Sequence, residues 1–82
     1  MNEIDAFMEY ADHALRKVMG DGATKRAAGL KPIWKEDKHV PSFRRHVARW
    51  ELGEKEDVDS GAHPLVHAAC RALMIAWQET RG

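Results

Sequence analysis

Residues 42–77 read SFRRHVARWELGEKEDVDSGAHPLVHAACRALMIAW. Phe43, Val47 and Trp50 recur at three- to four-residue steps, the spacing of one helix face. Ser42, directly after Pro41, is a candidate N-cap. At about 100° per residue His46, Glu54 and Asp57 project onto the same inward face, provided the helix passes Gly53, itself a possible terminator. A second helix is expected from near Ser60–Pro64, with Ser60 as cap and Pro64 in the first turn. Leu65, Ala69, Leu73, Ala76 and Trp77 form its apolar face, widened by Val66, Cys70 and Met74. A face this broad predicts a central helix, or one shared with a second copy of the chain in a homodimer. Two helices joined by so short a turn pack antiparallel.

Working outward, Ile4, Phe7, Met8, Ala11, Leu15 and Val18 predict a helix before this pair, capped by Asn2 and ended by Gly20 and Gly22. Residues 20–42 hold three of the six Gly and two of the three Pro without a sustained period, and read as a long loop pinned by Trp34. The expectation is one all-α domain over residues 1–82: three main helices in a compact bundle, with a long ordered loop between the first and second. A chain of 82 residues can bury only a small core.

Several function classes fall away. A single cysteine, Cys70, excludes an intrachain disulfide framework, and its apolar neighbours suit an inert buried thiol in a reducing compartment. MNEIDAFMEY lacks the basic and apolar regions of a signal peptide. No apolar run approaches the ~18 residues of a membrane span. Net charge is zero, so nucleic acid is not expected as a partner, although RRHVAR puts positive charge on a helix. The charges are nevertheless sorted: ten of the 13 Lys and Arg fall between Arg16 and Arg49.

Residues 46–67 concentrate three histidines and five carboxylates. Glu54 and Asp57, three apart, can jointly hold a hard cation such as Mg²⁺ or Mn²⁺, whose remaining positions serve water and phosphate. His46, His63 and His67 can orient water or phosphate, or move a proton. Lys25 and Arg45 can neutralise phosphate charge. A solvated charged turn is the alternative reading of the same residues. Zinc is disfavoured because CxxC and HExxH are both missing.

RRHVARWELGEKEDVDSGAHPLVHAACRAL resembles the RH-x3-W-x2-GE-x2-D-x2-SG-x2-H-x3-HA pattern of a phage-associated family, the dATP/dGTP diphosphohydrolase N-terminal domain. The matching positions are Arg45, His46, Trp50, Gly53, Glu54, Asp57, Ser60, Gly61, His63, His67 and Ala68. Gly22–Lys25 and Trp34 resemble the family's upstream GA-x-K...W segment. The resemblance implies an all-helical domain of nucleotide metabolism that hydrolyses purine dNTPs to dNMP and pyrophosphate, in the host-cell cytoplasm if phage-encoded. It also suggests kinship with MazG-type pyrophosphohydrolases, whose ExxE and ExxD carboxylates hold Mg²⁺. Here Glu51–Glu54 and Glu54–Asp57 overlap, sharing Glu54. The rival expectation is a non-catalytic module that binds and inhibits a host protein.

Overall fold

The computed structural model describes residues 2–26, 38–58 and 60–80, and of residues 21–26 the backbone alone. Three helices follow one another: α1 (Glu3–Arg26), α2 (His39–Glu51) and α3 (Pro64–Thr80). The described residues contain no strand, and the all-α expectation is met. Trp34 lies outside the described residues.

Asn2 caps α1: its Oδ1 accepts the Asp5 N–H at 2.8 Å. Glu3 and Asp5 in the first turn face the positive end of the helix dipole. Gly20 and Gly22 do not end the helix, which runs on to Arg26. A glycine in a helix interior costs about 1 kcal/mol relative to alanine, a weak obstacle. To stop a helix it must also take a left-handed φ, and Gly20 does not.

The second helix starts three residues before its expected cap. Ser42 is inside α2, buried, and donates its N–H to Lys38 O at 3.1 Å. Pro41 permits this because it is the third helical residue, where the backbone N–H has no acceptor within the helix. The helix also stops sooner than the inward projection of Asp57 required. Gly53, at φ +100°, donates to Trp50 O at 2.9 Å, and Glu54 N–H reaches back to Arg49 O at 3.1 Å. This pair of reversed bonds is a Schellman motif. Asp57 is therefore delivered by the loop, not by the α2 face.

Ser60 does not cap α3. His63 does, its Nδ1 accepting the Leu65 N–H at 3.1 Å. Pro64, fully buried, takes the first helical position. The inward side of α3 also differs from the expected apolar face. Val18, Cys70 and Met74 form the core, flanked by Leu15, Met19, Ala62 and Val66. Leu73 is 55% exposed, and Leu65, Ala69, Ala76 and Trp77 also reach solvent. The reason lies in α2, whose buried residues are His39, Ser42 and His46. α3 turns His67 and Arg71 toward α2, where His67 stacks on His46 and Arg71 bonds His39, and part of its apolar side is left uncovered.

No helix among the described residues is long and apolar enough to cross a membrane.

Candidate functional site

The site lies where the α2–α3 loop closes over both helices. Asp57 organises it. Its backbone N–H donates to Ala62 O at 2.7 Å, and its carbonyl accepts from Gly61 N–H at 2.8 Å. Its side-chain Oδ1 accepts from Ser60 N–H at 3.2 Å. Gly61 sits at φ +74°, a conformation that glycine takes at no steric cost and that tightens the loop here. With only 6% of its surface exposed, the Asp57 carboxylate needs compensation, and Arg49 supplies it: Nη1 lies 3.7 Å from Oδ2. The Arg49 Nε also stands 4.0 Å from Glu54 Oε2. Glu54 and Asp57 thus both approach one guanidinium, that of Arg49.

His46 and His67 meet across the helix interface. Their rings stack at 4.7 Å between centroids and 14° between planes. His67 Nε2 and Ser60 Oγ share a 2.6 Å hydrogen bond, and the same hydroxyl oxygen accepts the Ala62 N–H at 3.2 Å. His46 Nδ1 is buried without a hydrogen-bond partner, and Asp57 Oδ2 at 4.0 Å is too distant to provide one. Burial, then the neighbouring His67 and Arg45, push the His46 pKa down to about 4, against the opposing pull of Asp57. Its ring is neutral at physiological pH and is enclosed rather than presented to solvent.

His63 stands apart from this pair, spending Nδ1 on the α3 cap and lining a cleft beside Phe7 and Leu65. Arg45 is exposed on α2. The Lys25 side chain falls outside the described ones. Among the described residues, no group of three or more His, Cys, Asp or Glu is placed to hold a metal ion.

Sequence reasoning did not include Arg49 among the site residues. The signal was available: in a Schellman motif the residue after the glycine returns to the residue four before it. Gly53 therefore pairs Glu54 with Arg49. A further contact gave no sequence signal: Arg71 Nη1 lies 3.1 Å from His39 Nδ1, farther along the α2–α3 interface. A guanidinium only donates, so His39 accepts at Nδ1 and carries its ring proton on Nε2.

The family model described as dATP/dGTP diphosphohydrolase, N-terminal, matches residues 2–82. The chain belongs to this family. Glu54, Asp57 and Ser60 of the loop and His67 of α3 are the gathered part of this N-terminal domain. No curated protein and no solved structure matches the chain.

Proposed function

We propose that this diphosphohydrolase N-terminal domain hydrolyses purine deoxynucleoside triphosphates, dATP and dGTP, to the monophosphate and pyrophosphate. The observation that carries the reading is the convergence of Glu54, Asp57, Arg49, His67 and Ser60 at one end of the α2–α3 pair. Arg45 and Lys25 bind the triphosphate. Water attacks the α-phosphorus. The bond from that phosphorus to the bridging oxygen breaks, and pyrophosphate leaves with the electron pair. His67, hydrogen-bonded to Ser60, takes the proton from water. His46, enclosed and neutral, holds the His67 ring by stacking and is a positioning residue.

The described residues do not make a self-contained Mg²⁺ or Mn²⁺ centre. Asp57 is committed to Ser60 and Arg49, and no third ligand stands beside the two carboxylates. The cation instead belongs to the substrate, as the Mg²⁺ or Mn²⁺ salt of the triphosphate. Glu54, with 21% of its side chain exposed against 6% for Asp57, is the carboxylate open to that complex.

The test is incubation of the purified chain with each dNTP and Mg²⁺ or Mn²⁺, with dNMP and pyrophosphate quantified. Release from dATP and dGTP, lost in Glu54→Gln, is the expected result. No product from any nucleotide at high protein concentration would sink the catalytic reading. One observation favours the second reading, a module that inhibits a host protein: Arg49 already occupies the space between the two carboxylates. An inactive chain with no thermal shift on nucleotide or cation, yet a stable stoichiometric host complex, would establish it.

A further inference from the structure

The largest feature that the nucleotide reading leaves unused is an open apolar surface formed by α1 and α3. Two clefts of about 410 and 690 Å³ run along it, and Leu15 and Leu73 line both. Phe7 is 63% exposed, and Ile4 and Met8 also stand in solvent on the first half of α1. The buried core beneath is thin: Val18, Ala68, Cys70 and Met74. A helical unit of this size reaches adequate stability with a fuller core or by association. Exposed apolar area of this extent is characteristic of an interface.

The charge order of α1 says what covers it. Its first half carries Glu3, Asp5, Glu9 and Asp12 and no Lys or Arg. Its second half carries Arg16, Lys17, Lys25 and Arg26 against the single acid Asp21. A helix with this order is electrostatically complementary to its own reverse. Ala11, midway between Ile4 and Val18 on the apolar stripe, is small enough for close helix approach.

We infer that the α1–α3 face binds a second copy of this chain, the two α1 helices crossing antiparallel about a twofold axis near Ala11. This register sets Phe7 of each copy opposite Leu15 of the other. The exposed Ile4, Phe7 and Met8 of the second copy then lie over the clefts of the first. The contact is isologous, so both faces are covered at once and no new sticky surface remains. The inference does not rest on the hydrolase reading, although His63 of the α2–α3 loop lines one of the two clefts.

The test uses the 82-residue chain. Sedimentation equilibrium is expected to give twice the 9.3 kDa chain mass. Phe7→Glu, at a position exposed in the single chain, is expected to keep its helical circular dichroism and weaken association at least tenfold. A monomer at every concentration, or an undiminished Phe7→Glu dimer, overturns the inference. The antiparallel register is tested by oxidation. Ala11→Cys lies on the axis and forms a disulfide-linked dimer. Ile4→Cys does not, since seven residues on each side of the axis separate the two thiols by about 20 Å. A crosslink through Ile4→Cys, or none through Ala11→Cys, refutes that arrangement.

Discussion

The two surfaces of α3 are held by opposite means. Toward α2 it presents His67 and Arg71, which meet His46 and His39 through a ring stack and a hydrogen bond. Toward α1 it presents Val66, Cys70 and Met74, which meet Leu15, Val18 and Met19 through undirected apolar contact. Directional groups fix an angle and a register and are costly to unmatch. Apolar contact is tolerant of small shifts and grows with the area covered. The polar seam therefore sets where the candidate site stands, and the apolar seam leaves a face able to take more partners.

The strongest way to break the polar seam is to remove Asp57. Asp57→Ala deletes the acceptor for Ser60 N–H and leaves Arg49 without its buried counter-charge. Urea denaturation is expected to show a loss of roughly 2–4 kcal/mol. Asp57→Asn keeps the shape and an acceptor oxygen and loses less.

Acid attacks the same seam through His46. Its folded pKa of about 4 lies below the unfolded value of 6.5, so protons bind the unfolded chain first. Stability from this group is complete above about pH 6.5. It falls as pH drops toward 4 and is lost below that, by at most ~3 kcal/mol. His46→Phe retains a ring against His67 and removes the titration. Denaturation midpoints measured from pH 7 to 4 are expected to fall less steeply in this variant than in the parent chain.

Gly53→Ala sharpens the comparison at the point where α2 ends. A Cβ there meets nothing within 4 Å, so the penalty is purely one of backbone conformation at φ +100°. About 1 kcal/mol of destabilisation is expected from thermal melts. Gly20→Ala on α1 has the opposite sign. Open space surrounds that position too, but the backbone is helical, and a gain of up to about 1 kcal/mol is expected. Equal losses in the two glycine variants would contradict the distinction between a terminating and a tolerated glycine.

The contrast between the seams also explains what was legible in the sequence. Periodicity located all three helices, because apolar residues recur on any face that packs. It misjudged how far each face is covered. The Leu65–Trp77 stripe is apolar whether it meets α1, a second chain or water, and hydropathy alone cannot distinguish these. The polar seam was harder to find. His46 and His67 stood out through number and spacing, whereas the approach of His39 to Arg71 depends on how two helices cross, which no local pattern encodes. Helix ends shifted for the same kind of reason. Ser42 and Ser60 are good caps in isolation, yet Pro41 fitted inside a first turn and His63 stood nearer the start of α3. Glu54 and Asp57 reach Arg49 by a Schellman turn and a loop, not on the shared helix face that their spacing suggested.

The reversed bond from Glu54 N–H to Arg49 O carries a kinetic consequence. That amide belongs to the loop by position but shares the fate of the last turn of α2. Its hydrogen exchanges with solvent only when the helix end unwinds, so its protection reports helix fraying rather than loop motion. Glu54 is thereby a site residue whose backbone keeps time with α2, while Asp57 keeps time with the Ser60–Ala62 turn. A ligand that holds Glu54 against the Ser60–Ala62 turn would couple two motions that are otherwise separate, and slowed exchange at the Glu54 and Asp57 amides together would record it.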